Sequence, residues 1–133
     1  MLKYMLDTNI AIYTIKSRPA EVREAFKAHD GQMCISTVTL MELLHGAEAS
    51  AAVDRNLRDV EAFAARLDVL AYDSQAAAHT GQLRAELKNA GRPIGPYDEM
   101  IAGHARSRGL VVVTNNVRQF EDAPGIRVTN WVN

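Results

Sequence analysis

Leu110-Val111-Val112-Val113, followed directly by Thr114-Asn115-Asn116, is the stretch from which the rest of the chain can be ordered. A short, unbroken apolar run rich in β-branched residues predicts a strand buried on both faces. Such strands belong to parallel sheets covered by helices on each side. Just before it, Asp98 to Arg108 reads as a helix closed by Gly109. At the other end of the chain, Lys3 to Leu6 reads as a first strand, stopped at Asp7-Thr8-Asn9, a natural cap for the next helix. Pro19 suits a second helix start, continued by Glu21 to His29. Gln32 to Ile35 is a second strand, and Ser36 caps a helix over Val38 to Glu48. Ala52 to Arg66 carries Val53, Leu57, Val60 and Ala64 at helical spacing. Val69 to Tyr72 is a third strand, Asp73 caps a helix that ends near Ala90, and Ile126 to Val128 is a last strand. Strands alternating with helices define an α/β class, expected as a single domain over residues 1–133.

Composition narrows the function classes. The chain has 133 residues, 47% hydrophobic and 23% charged, which suits a globular protein with one core. No apolar run approaches the roughly 18 residues of a membrane span, and Met1 to Asp7 turns acidic too soon for a signal peptide. No membrane association and a cytoplasmic location are therefore expected. The one cysteine, Cys34, excludes an internal disulfide and a Cys-rich zinc site, and its apolar neighbours predict a buried thiol. A net charge of −1 does not advertise nucleic-acid binding, so any nuclease here needs local basic patches, bound cations or a basic partner.

In parallel α/β sheets, ligands bind beyond the carboxyl ends of the strands. Asp7 and the Asn115-Asn116 pair fall there, although a helix cap and a turn explain each of them equally well. For Glu42, an exposed residue on the outer helix face paired with a basic side chain and a site carboxylate are equally open readings. Glu42 stands in Val38-Thr39-Leu40-Met41-Glu42-Leu43-Leu44, beside an expected core stripe of Leu40, Leu43, Leu44 and Ala47, where a carboxylate loses hydration unless a cation or several donors replace it. Asp98 is read as the N-cap of its helix, pointing into the same crevice. Three carboxylates with the oxygen of Asn116 make a hard, oxygen-only set suited to Mg²⁺ or Mn²⁺, and the implied chemistry is phosphodiester hydrolysis by an activated water. His29, His45, His79 and His104 form no ligand pair, and the glycine-rich nucleotide loops are missing. Arg84, Lys88 and Arg92 form one basic ridge and Arg106, Arg108 and Arg118 another; phosphate contacts and plain solvated helix faces are both open readings.

Met5-Leu6-Asp7-Thr8-Asn9, Thr39-Leu40-Met41-Glu42-Leu43, Gly95-Pro96-Tyr97-Asp98-Glu99-Met100-Ile101-Ala102 and Val113-Thr114-Asn115-Asn116 together resemble the PIN-domain toxins of the VapC type, in the right order and over nearly the whole chain. The resemblance implies a PIN-like three-layer α/β/α fold with a mostly parallel sheet, and a Mg²⁺- or Mn²⁺-dependent endoribonuclease. It implies that Asp7, Glu42 and Asp98 hold the metal, with Asn116 in the fourth place. Thr8, Asn9, Thr114 and Asn115 would support the site or face substrate, and Arg84 and Arg92 would meet phosphate. Family members often carry Glu where this chain has Gln119, with Glu121 as a candidate substitute. The family further implies tRNA substrates, for some relatives initiator tRNA. It also implies a homodimer, and a VapB-type antitoxin through which the complex binds operator DNA. The alternative is a catalytically impaired PIN-fold RNA-binding or scaffold domain. A phosphatase or phospho-receiver on a similar sheet fits badly, because position 9 is Asn and no acidic pair follows the first strand.

Overall fold

The order of the strands places the crevice. In the computed structural model, which describes residues 1–17, 19–121 and 123–132, five strands form one sheet. They are β1 (Tyr4–Leu6), β2 (Met33–Ser36), β3 (Asp68–Leu70), β4 (Val111–Val113) and β5 (Val128–Thr129). Their order is β3-β2-β1-β4-β5, and every neighbouring pair is parallel. The chain builds outward from β1 in one direction, then crosses back to lay β4 on its other side. That reversal opens a crevice above the carboxyl ends of β1 and β4. Their register pairs Leu6 with Val113, and the Asp7 amide donates to the Val113 carbonyl at 2.9 Å, so Asp7 and Thr114 leave the sheet side by side.

Alternation along the strands sorts side chains into two layers. Leu6, Met33, Ile35 and Val113 pack on one face with Ile10 of α1 (Thr8–Lys16), Phe26 of α2 (Ala20–Ala28), Leu43 of α3 (Thr37–Glu48) and Phe63 of α4 (Val53–Ala64). Met5, Cys34 and Val112 pack on the other with Ile101 and Ala105 of α6 (Pro96–Arg108). Behind α6 lies α5 (Ser74–Asn89), whose Leu83 and Leu87 meet Phe120 of the short α7 (Val117–Phe120). The two-layer cover over a sheet is the α/β/α arrangement that the valine run implies. Burial pushes the Cys34 thiol up to about 12, so it is inert packing.

Helices α5 and α6 approach unusually closely at Gly103. A Cβ there would stand 2.6 Å from the Thr80 Cα and 2.8 Å from its amide nitrogen, so only glycine fits. Elsewhere the structure moves several expected boundaries. The third strand ends at Leu70; Tyr72 lies beyond it, with its amide bound to the Thr37 hydroxyl at 3.0 Å. The last strand sits slightly later than read, at Val128–Thr129. Helix α6 starts at Pro96 with Gly95 as its cap, because proline's fixed φ and missing N–H suit the first helical position. Asp98 is therefore a first-turn residue and not the N-cap. On α3, Leu44 is 38% exposed and Thr39 is buried, so the helix is turned from the expected stripe.

Candidate active site

Asp7 ends β1 and begins α1, and its Oδ1 accepts the Ile10 amide at 2.9 Å as a helix cap. Only 3% of the residue is exposed. Burial raises its carboxyl to about 6; hydrogen bonds from the Thr114 hydroxyl and the Ile10 amide pull the other way, and the charges of Asp98 and Glu42 push it up again. Asp98 is also held above the usual carboxylate range, first by burial and next by Glu42, while the Gln119 amide opposes the shift. The three carboxylates therefore lie within one another's field at a single mouth. Among the described residues, the named contributions at Asp7 and Asp98 come from burial, neutral hydrogen-bond donors and other carboxylates.

Neutral donors hold the group in place. The Thr8 hydroxyl, one residue past Asp7, donates to Glu42 Oε1 at 2.6 Å and ties α1 to α3. Gln119 of α7 donates through Nε2 to Asp98 Oδ2 at 3.0 Å and accepts at Oε1 from the Asn116 side chain. The Asn116 amide donates to the Thr114 hydroxyl at 2.9 Å, and Asn115 donates to the Tyr13 hydroxyl at 3.0 Å. A second tie lies deeper. Ser36 Oγ accepts the Val38 amide at 3.1 Å as the cap of α3 and stands 2.9 Å from Nδ1 of the fully buried His104 on α6. The helices carrying Glu42 and Asp98 are thus joined below the mouth. Burial holds the His104 imidazole below its ordinary value, opposed by the nearby Asp73 charge.

The structure brings Asp7, Glu42, Asp98, Thr8 and Thr114 together, and ties Asn116 to them through the Thr114 hydroxyl and Gln119. Asn9 is exposed on the first turn of α1. Glu121 does not substitute at the acidic cluster: it is exposed at the end of α7, while Gln119 faces Asp98. Two positions along a helix are about 200° apart around its axis, so both cannot face the mouth. Arg84 lies 3.6 Å from Glu99, a buried carboxylate that the sequence reading passed over. The neighbouring Asp98 drew attention instead, and only burial distinguishes the pair. Gln119 stands in the sequence as a departure and His104 as a histidine without a ligand pair; neither carries a local signal of its partner.

Two aspartates whose proton affinity is raised, with the Glu42 carboxylate beside them, are residues that could hold a hard divalent ion. Among the described residues, no three His, Cys, Asp or Glu side chains are drawn close enough to grip an ion as they stand. Glu42 is turned to Thr8 and Asp98 to Gln119, and an ion would compete with those two hydrogen bonds. Beside the mouth runs a groove of about 580 Å³ lined by Ile12, Ile15, Leu43 and Val60, with Lys16 and Arg55 along it and Glu42 at its edge.

The parallel sheet, the crevice at its switch point and the acidic mouth are the features of a PIN domain. The PIN domain pattern matches residues 4–126, and the chain belongs to that family. Within it the chain groups with the VapC proteins. It is 63% identical to the tRNA(fMet)-specific endonuclease VapC of Shigella flexneri, over 98% of this chain and 99% of that protein. Among solved structures it matches the DNA-bound VapBC of Salmonella typhimurium, at 63% identity and a TM-score of 0.95, with 98% and 99% of the two chains covered. It also matches VapBC2 of Rickettsia felis bound to a promoter DNA fragment, at 31% identity and a TM-score of 0.92, with the same coverage. Among the described residues, no helix is long and apolar enough to cross a membrane.

Proposed function

We propose that this protein is a Mg²⁺- or Mn²⁺-dependent endoribonuclease toxin that cleaves initiator tRNA and is neutralised by a VapB-type antitoxin. The observation that carries the reading is the convergence of Asp7, Glu42 and Asp98, which are remote in sequence, on one mouth where each is felt by another. Asp7, Glu42 and Asp98 would hold the ion, with Asn116 beside them. When bound, it supplies a Lewis acid that lowers the pKa of a water and offsets charge building on a phosphoryl oxygen.

The chain's own residues do the positioning. Asp7 is fixed by its cap bond to Ile10, Glu42 is oriented by Thr8, and Asp98 by Gln119. Asp7 must be ionised to take part, and its carboxyl near 6 is mostly so at neutral pH. Because the mouth is anionic, RNA binding and cation binding should be linked. The groove along Ile12, Ile15, Leu43 and Val60 has the apolar lining that a peptide helix requires, and it borders Glu42. An antitoxin segment seated there could carry a basic side chain to the carboxylates, and the named VapBC relatives support such a partner. An antitoxin truncated before that segment should lose inhibition; undiminished inhibition would remove the occlusion step.

The test is cleavage of an initiator tRNA transcript and an elongator transcript across a Mg²⁺ titration, for the wild type and Glu42→Gln. Cleavage that needs the ion, favours the initiator and is largely lost in Glu42→Gln supports the reading. Metal-independent cleavage, or an unchanged Glu42→Gln rate, would count against it.

A further inference from the structure

An acidic mouth on a chain of net charge −1 repels a polyanion unless local cations hold its backbone. Many basic side chains are placed elsewhere or engaged. Lys3 precedes β1 and Arg108 ends the helix before β4, so both stand at the sheet edge opposite the mouth. Arg106 is bound among His79, Gln82, Glu86 and Pro124, and Arg66 lies over the Phe26 ring. Arg92 and Arg118 differ in one respect. They line a single cleft of about 150 Å³ together with Gln119, the residue whose amide holds Asp98.

The mounting of these two residues also suits a ligand site. Arg92 belongs to the loop between α5 and α6, stiffened by Pro93 and by Pro96 at the start of α6, and Pro93 and Ile94 form a wall of the cleft. Arg118 rides on α7, which is pinned by the buried Phe120 and by the Gln119 bond to Asp98. Arg118 is exposed and makes no ion pair among the described residues. Guanidinium groups bind phosphate oxygens bidentately, and pre-placed carriers lower the entropy lost on doing so.

We propose that the Arg92–Arg118 cleft is a phosphate-binding subsite that holds the RNA backbone on the Asp98 side of the scissile bond. This rests on the ribonuclease reading above. The cleft carries two guanidinium side chains beside the residue that holds Asp98, and its roughly 150 Å³ admits a phosphate group but not a peptide helix, so RNA is the occupant favoured here.

The experiment measures KM and kcat for an initiator tRNA transcript with Mg²⁺, from about 50 to 200 mM salt, a span over which each phosphate contact weakens binding measurably. Arg92→Gln and Arg118→Gln should each raise KM severalfold and leave kcat near the wild-type value. Each should also lower the slope of log KM against log salt by roughly 0.7 to 0.9, the effect of one phosphate contact. Arg118→Lys should keep most of the slope, which guards against misreading a folding defect. Lys3→Gln, at the opposite edge, should change neither quantity. An unchanged KM and slope in the double Arg92→Gln/Arg118→Gln variant would overturn the subsite, as would an equal change in Lys3→Gln. Loss of antitoxin capture with RNA kinetics intact would overturn it too, since the cleft would then serve the protein partner. A wild type that cleaves no RNA would instead remove the ribonuclease reading, and the subsite with it.

Discussion

Two polar clusters in this molecule use charge in opposite ways. Behind α6, Arg106 is saturated: its guanidinium donates to His79 Nδ1 at 3.1 Å, to Gln82 Oε1 at 2.9 Å, to the Pro124 carbonyl at 3.0 Å, and to Glu86 at 3.4 Å. At the mouth, Asp7, Glu42 and Asp98 are held by neutral donors, and the buried Asp7 and half-buried Asp98 each carry a raised proton affinity. A cation ringed by acceptors is at rest and serves stability. A set of anions with no counter-charge is under electrostatic load, and an incoming cation relieves it. The contrast predicts that variants at the two clusters fail differently: the first in folding, the second in chemistry.

The largest expected effect is at the mouth. Asp7→Ala and Asp98→Ala should each lower RNA cleavage by on the order of 10³-fold or more while the protein stays folded. The wild-type melting temperature should rise with Mg²⁺ or Mn²⁺ concentration, and Asp7→Ala should abolish that rise. Thermal melts with and without the ion, beside cleavage rates, check both; full activity in either variant would break the comparison.

Next come the packed helices. Gly103→Ala drives a methyl into the Thr80 backbone, which no side-chain rotation relieves, and should destabilise by about 3 kcal/mol. Arg106→Ala should cost about 1–3 kcal/mol by leaving its acceptors unpaired. Denaturant midpoints measure both, and Arg106→Ala should retain its cleavage rate below its melting point. A stable but inactive Arg106→Ala would mean that the two clusters are coupled.

A third effect has the reverse sign. The Asp7 carboxyl sits near 6 in the folded chain and near 3.8 unfolded, so the native state binds the extra proton across that window. Its favourable contribution is complete below the unfolded value and is lost as pH rises through about 6. The full span is on the order of 3 kcal/mol. Metal-free Asp7→Asn keeps the cap and removes the buried charge, so at neutral pH it should be more stable than the wild type, by up to that amount. Finding it less stable would show that the ionised carboxylate is already well compensated.

The smallest effect belongs to His104, whose folded value is lowered by burial. Here the unfolded chain binds the proton first, so stability is complete above about 6.5 and declines as pH falls toward the folded value. In Asp7→Asn/Asp98→Asn, with both raised carboxyls removed, metal-free stability should fall steadily on acidification through that range. A flat profile there would mean that His104 is not the titrating group.

The sequence already contained the strands to within a residue or two, the caps at Asp7, Ser36 and Asp73 though not the one at Gly95, and the three carboxylates. A valine run, an Asp that stops a strand and a Glu among leucines are local signals, because apolar burial and helix capping act over a few residues. It did not contain the partners. That Thr8 orients Glu42, that Gln119 and not Glu121 meets Asp98, that His104 ties α6 to the cap of α3, and that Gly103 must be bare opposite Thr80 all depend on helix rotation and on the register of β1 against β4. Composition and local pattern thus determined which groups the chain offers for chemistry. Only tertiary packing decided which neutral donors hold them, since hydrogen bonds between residues tens of positions apart form only after the sheet and its helices are assembled.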